Sequence, residues 1–242
     1  MKEKPNCYIP RIDKQAVQDM PMAVFDGEVT IIDQPEQVEE AVAYLRRQTV
    51  VGVDTESRPS FTRGIHYPTA LLQIATEQRC FLFRLTHIGM PQTLCDLFAD
   101  NGVCKVGLAF KDDLNGLKRR RNFMPRNCID IQSMAWKYGI LDLGLQKIFA
   151  NCFGKKISKA QQLTNWENTT LTPEQARYAS TDAWATLLIY KQLIATKPLP
   201  KQQADELRQK DKEAQLLHQQ EILAQRTQEE KTIISAQSAF FH

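Results

Sequence analysis

The periodicity of apolar positions changes several times along this chain, and each change marks an element. Residues 29–32, 50–54, 70–76, 80–85, 103–108 and 128–131 are short runs rich in aliphatic and β-branched side chains, which predicts strands. The second and third of the longer runs are separated only by a polar break at Glu77 and Gln78, the pattern of an antiparallel hairpin. Between the runs the spacing becomes helical. Val38, Val42 and Leu45 form one stripe in 35–48, with Pro35 suited to the first turn. Residues 91–100 and 111–120 repeat the helical pattern, and beyond 131 the chain is helical in pieces to 196, around a polar loop at 155–170. Strands early, helices late and βα alternation between them predict an α/β domain on a mixed sheet.

The ends of the chain read differently. Residues 1–27 contain Pro5, Pro10 and Pro21 and predict an irregular arm with one short helical stretch near 13–20. The regular domain is expected over 28–197. From 198 to 242 the chain is rich in glutamine and charge, with Leu207, Leu216, Leu217, Ile222 and Leu223 as scattered apolar positions, which suits a polar helical or disordered tail. Its coiled-coil seam is thin, although the apolar run at 233–242 could dock on something.

Composition narrows the class. At 242 residues, 43% hydrophobic and 24% charged, the chain can bury a core without staples. The net charge of +3 neither demands nor excludes a nucleic-acid partner. The six cysteines form no CxxC pair, so reduced, buried thiols are expected rather than structural zinc. No secretory apolar region opens the chain and no run is long enough to span a bilayer, so no membrane partner and a cytoplasmic location are expected.

Three segments carry chemistry. In VVGVDTESRPSF an apolar strand runs into Asp54 and Glu56, which at i and i+2 project from one face. They are either a solvated strand end or half of a site for a divalent cation, which would relieve their repulsion. In KVGLAFKDDLNGLKRRR a buried strand leads to a helix with Asp112 and Asp113 in its first turn, where acids also serve the helix dipole. In LTPEQARYASTDAWATLLIY, Thr172 as N-cap, Pro173 at N1 and Gln175 at N3 make a capping box. That start fixes the register and puts Tyr178 and Asp182, four apart, on one face, for packing or for chemistry.

Taken together, D-x-E at a strand end, an aspartate opening a helix and Y-x-x-x-D on a late helix resemble the tyrosine branch of the DEDD superfamily of 3′–5′ exonucleases. The nearest likeness is to the Werner syndrome exonuclease domain and its bacterial relatives, with ribonuclease D further off. The similarity spans about 29–195 and includes the runs LLQIAT, CFLFRL, DLGLQKIF and LTNWEN. It implies a ribonuclease H-like mixed β-sheet flanked by helices. It implies Asp54, Glu56, Asp113 and Asp182 as metal ligands, with Asp113 preferred to Asp112 by alignment of the helix, and Tyr178 as the branch-defining tyrosine. The histidine of the sister branch would stand at Arg177. Two divalent ions are expected, Mg²⁺ or Mn²⁺, because an all-carboxylate set favours hard cations. The activity implied is hydrolysis from the 3′ end to nucleoside 5′-monophosphates, on DNA in preference to RNA. The competing readings are a ribonuclease D-like exoribonuclease and a catalytically silent binding domain.

Nucleic acid also needs cationic and stacking groups. Arg58, Arg63, Arg126, Lys155, Lys156 and Lys159 are the cationic candidates, the last three in the loop before the tyrosine helix. Phe61 and Trp166 are candidates to stack bases or to pack, and the run at 118–121 is expected to be a solvated helix end.

Overall fold

The computed structural model of the chain describes residues 6–62 and 64–239, the side chains of 218 and 226–239 excepted. Arg63 and the last three residues of the apolar run at 233–242 therefore lie outside the described residues, as do the side chains of the rest of that run. The chain divides into two compact units, the first ending at Pro198 and the second beginning at Leu199.

The first unit is built on a mixed sheet of six strands among the described residues. They are β1 (Glu28–Ile32), β2 (Val50–Ser57), β3 (Thr69–Ala75), β4 (Arg79–Arg84), β5 (Cys104–Gly107) and β6 (Cys128–Asp130). The order across the sheet is β1-β4-β3-β2-β5-β6. The β2–β3 and β3–β4 pairs are antiparallel, and β1–β4, β2–β5 and β5–β6 are parallel. The hairpin expected around Glu77 and Gln78 is the β3–β4 pair, with Ala75 opposite Cys80. The helices of this unit are α1 (Lys14–Gln18), α2 (Val38–Leu45), α3 (Leu85–Ile88), α4 (Gln92–Ala99), α5 (Phe110–Arg120), α6 (Ile131–Ala135), α7 (Leu145–Phe153) and α8 (Pro173–Ile194).

Strand alternation sorts the core onto two faces. Val51, Val53, Leu72, Ile74, Phe81 and Phe83 pack with α2, α4 and α5, through Leu45, Leu97, Phe98 and Leu117. On the other face Leu71, Ala75, Cys80 and Leu82 pack with Ala179 and Ala183 of α8. Gly52 belongs to this second face, and it explains how close α8 lies. A Cβ there would stand 2.0 Å from the Ala183 carbonyl oxygen and 2.9 Å from Leu187 Cβ. A glycine inside a strand here admits a helix backbone.

The arm is not irregular throughout. Met22 pairs with Lys156 as a parallel bridge. Lys156 N–H donates to the Pro21 carbonyl at 3.0 Å, and Ala23 N–H donates to that of Lys156 at 2.7 Å. Phe25 N–H donates to Thr181 Oγ1 at 3.1 Å, so the arm braces both the 155–157 segment and α8. Of the cysteines, Cys80, Cys95 and Cys104 are buried, whereas Cys7 is exposed on the arm.

Among its described residues the second unit contains one helix, α9 (Lys201–Ala239), on which Leu216, Leu217 and Leu223 are exposed. No helix among the described residues is long and apolar enough to cross a membrane.

Candidate active site

The site lies where β2 ends beside α8. Asp54 and Glu56 project from β2 toward the helix, and Asp182 meets them from α8. Carboxylate oxygens of these three groups lie within 4.8 Å of one another. The capping box expected at the start of α8 is present: Gln175 N–H donates to Thr172 Oγ1 at 3.2 Å and Thr172 N–H to Gln175 Oε1 at 3.1 Å. Tyr178 and Asp182 therefore sit one turn apart on one face of α8, near enough for the phenol to favour the charged form of the carboxylate.

Asp113, not Asp112, is the helix acid that lies near this group, where it acts electrostatically with Asp54 and Glu56. Asp112 is exposed, while Asp113 is half-buried with Oδ1 accepting from Thr55 Oγ1 at 2.6 Å and Oδ2 buried with no partner. The register of α5 is fixed by a residue that sequence reading passed over. Asp130, at the end of β6, accepts from Ala109 N–H at 3.1 Å and Phe110 N–H at 3.0 Å, supplying the cap that α5 otherwise lacks. Ala109 makes the turn with a left-handed φ of 53°.

Burial and mutual repulsion dominate the electrostatics. Desolvation first, then the Asp182 charge, push the Asp54 carboxyl up to about 8. Glu56 is pushed up by desolvation, then by Asp54, Asp182 and Asp113. Asp113 is raised by desolvation and then by Asp54. Desolvation also raises Asp182, against the opposing effects of the Tyr178 hydroxyl and Lys159. Tyr178 is held well above the ordinary phenol value by burial and by the charges of Asp182 and Glu56.

These shifts set a sign. A carboxyl whose folded pKa exceeds its unfolded value of about 4 favours the fold at low pH, and that contribution is lost as pH rises through the folded pKa. Metal-free protein is expected to melt at a lower temperature at pH 8 than at pH 5, with saturating Mn²⁺ restoring most of the loss at pH 8. Thermal melts in EDTA and in Mn²⁺ across that range check this; a melting temperature that climbs from pH 5 to pH 8 in EDTA contradicts it.

The donor set fits divalent cations. It is all oxygen, with Asp54, Glu56 and Asp182 converging on one volume and the nearby Asp113 Oδ2 buried without a hydrogen-bond partner. The cleft in front of it, about 310 Å³, is lined by Asp54, Glu56, Ser158, Lys159, Gln162 and Tyr178 among others.

The remaining candidates scatter. Lys159 lines that cleft, but Lys155 borders a different hollow with Phe153 and Trp184. Lys156 donates its ammonium to the Gln18 carbonyl and so anchors the arm. Arg58 lies over the Tyr67 ring at 4.8 Å and 3.7 Å from Glu167. Phe61 is 86% exposed in the β2–β3 connection. Trp166 corrects an expectation: at 0% exposure it has no face for a base, and its ring centroid lies 6.0 Å from that of Tyr178, backing the phenol. The basic run is not simply solvated either. Arg120 donates to the Thr69 carbonyl at 2.5 Å and the Leu85 carbonyl at 2.9 Å, and Arg121 to that of Met90 at 3.3 Å.

Comparison with known proteins gives a consistent picture. The 3′-5′ exonuclease family profile matches residues 29–196. Exonuclease 3′-5′ domain-containing protein 2 of Mus musculus is 28% identical over 187 residues, covering 71% of this chain and 28% of its own length. The bifunctional 3′-5′ exonuclease/ATP-dependent helicase WRN of Mus musculus is 29% identical over 150 residues, covering 60% of this chain and 11% of its own length. This chain thus spans less than a third of either relative. The crystal structure of Escherichia coli RNase D, described as an exoribonuclease involved in structured RNA processing, superposes with a TM-score of 0.63 at 23% identity. That match covers 69% of this chain and 44% of the other, and shows the shared fold.

Proposed function

This chain belongs to the 3′–5′ exonuclease family, and from that premise we propose that Asp54, Glu56, Asp113, Asp182 and Tyr178 are its working site, acting on the 3′ end of DNA in preference to RNA. The observation that carries the assignment is the convergence of Asp54, Glu56 and Asp182 within 4.8 Å, with an unpartnered Asp113 oxygen beside them. Four carboxylates would hold two Mg²⁺ or Mn²⁺ ions. When bound, such ions supply Lewis acidity toward the phosphodiester and an ionised water near neutral pH.

The chain's own groups do the rest. Tyr178, kept protonated by its raised pKa, orients the attacking water by hydrogen bonding at its phenol oxygen rather than by taking its proton as a base. Trp166 behind it limits the ring's freedom. Lys159, on the cleft wall, offers a counter-charge to the phosphate of the terminal nucleotide. Phe61, projecting from the β2–β3 connection, is the exposed aromatic available to stack on a base further along the strand. The preference for DNA rests on the likeness of the 155–170 segment to the Werner-type loop. The fold shared with RNase D supports the second reading, an exoribonuclease.

The test uses 5′-labelled single-stranded DNA, recessed-3′ duplex DNA and RNA of matched sequence, with Mg²⁺ or Mn²⁺. A ladder shortening from the 3′ end and abolished by EDTA is expected, faster on DNA. Faster trimming of RNA would favour the exoribonuclease reading, and binding without cleavage of any strand would leave a silent binding domain.

A further inference from the structure

The strand that carries the first two acids also contains a residue of the opposite face. Asp54 and Glu56 point toward α8, and by alternation Thr55 between them points toward α5. α5 packs on the far face of the sheet through Leu117, so an acid on it starts from the wrong side to join Asp54 and Glu56. The hydrogen bond from Thr55 Oγ1 to Asp113 Oδ1, at 2.6 Å, draws that acid to the sheet end where the other three meet. The bond occupies one carboxylate oxygen only. The other, Oδ2, is buried and has no partner, and Asp54 is the like charge that acts on Asp113 most strongly.

We propose that Thr55 is a positioning residue for the metal centre: its hydroxyl holds Asp113 in one rotamer and leaves Oδ2 free to ligate. The inference rests on the exonuclease reading above and adds to it a residue on the cleft wall whose hydroxyl acts through Asp113. Side-chain chemistry makes threonine apt for the task. Its β-branch suits the strand and restricts χ1, so the hydroxyl is presented in a fixed direction. Valine preserves that shape and removes the donor, while serine preserves the donor and removes the methyl.

The consequence is a graded loss. Partners that orient a ligand typically change metal affinity by about 10–100-fold when removed. Thr55→Val is expected to weaken Mn²⁺ binding to the centre by about that factor, measured by titration calorimetry without nucleic acid. The Mg²⁺ concentration for half-maximal exonuclease activity should rise in parallel, with turnover at saturating Mg²⁺ changing only by about threefold or less, since the ligands themselves remain. Thr55→Ser is expected to restore both to within about threefold of wild type, because it keeps the charge-assisted bond. In a cycle with Asp113→Asn, adding Thr55→Val should weaken Mn²⁺ binding no further.

Melting in EDTA establishes whether the valine variant is folded, and valine keeps the β-branch that a strand favours. Wild-type Mn²⁺ affinity in Thr55→Val overturns the inference while leaving the exonuclease reading in place. So does a serine variant as weak as the valine variant, since the methyl packing would then be what matters. Wild-type protein that binds no Mn²⁺ overturns both.

Discussion

Asp54→Asn is expected to reduce 3′–5′ exonuclease turnover by about 10³-fold or more while raising the melting temperature of the metal-free protein. Both effects follow from one fact: Asp54 is crowded by other carboxylates in a desolvated place. A bound cation contributes several kcal/mol of charge stabilisation to the reacting phosphate, and each 1.36 kcal/mol is about tenfold in rate, so loss of about 4 kcal/mol gives a factor near 10³. Asparagine keeps the shape but is a neutral, weaker ligand. In the absence of metal the same replacement removes a like charge acting on Glu56 and Asp113 and on the Tyr178 phenol, so the fold should gain. Single-turnover cleavage of a labelled 3′ end, paired with melts in EDTA at pH 8, reads both quantities. Near-wild-type turnover would remove Asp54 from the site. Lost turnover together with a lowered melting temperature would mean the residue is needed for the fold rather than for hydrolysis.

Gly52→Ala is the other large effect, and it acts without altering any charged group. The added Cβ would fall 2.0 Å from the Ala183 carbonyl oxygen and 2.8 Å from Thr186 Oγ1. A helix backbone cannot rotate away as a side chain can, so α8 as a whole must retreat from β2. Overpacking of this kind costs about 1–3 kcal/mol, and more where backbone is the obstacle. The retreat carries Asp182, the residue before Ala183, away from Asp54, so activity should fall by more than the stability loss explains. Urea melts together with turnover at saturating Mn²⁺, in conditions where the variant is fully folded, separate the two. A stability change within about 0.5 kcal/mol, with unchanged turnover, would show that the close approach of α8 is not needed.

Much of the architecture was legible in the order of residues. The six strands, α2, α4 and α5 fall where periodicity places them, within a few residues, because half-buried strands and amphipathic helices impose different spacings on apolar side chains, whereas the one-turn α3 (Leu85–Ile88) is too short to show a period. The start of α8 was legible to the residue, since Thr172, Pro173 and Gln175 form a local cap that needs nothing distant. The choice of Asp113 over its neighbour came from likeness to a family. The structure supplies the physical reason: Asp130 caps α5 and turns Asp113, not Asp112, toward Thr55.

Other features depended on contacts between segments far apart in the chain. Trp166 lies in a polar stretch that reads as an open loop, yet the stretch is tied down. Gln175 Nε2 donates to the Asn165 carbonyl at 3.2 Å, and buried Arg84 donates to that of Thr169 at 3.3 Å. Lys155, Lys156 and Lys159 look equivalent in sequence, but the bridge between Met22 and Lys156 separates them, leaving Lys159 on the cleft. Arg120 and Arg121 look like a solvated helix end, yet three carbonyls distant in the chain, of Thr69, Leu85 and Met90, accept from them.

By itself, the sequence determined which groups could do the chemistry: an acid pair on one strand face, an acid at a helix start, and a tyrosine one turn from an acid. Local rules suffice there, since strand alternation and helical register depend only on neighbours in the chain. The tertiary structure alone decided how those groups meet. A glycine lets α8 lie against β2, a threonine on the opposite pleat draws in Asp113, and a buried tryptophan backs Tyr178. The threonine acts through a partner 58 residues away, the tryptophan through one 12 away, and Gly52 through the backbone of a helix more than a hundred residues on. Spacing along the chain carries no record of such distances, because they are fixed only when the sheet and α8 pack together.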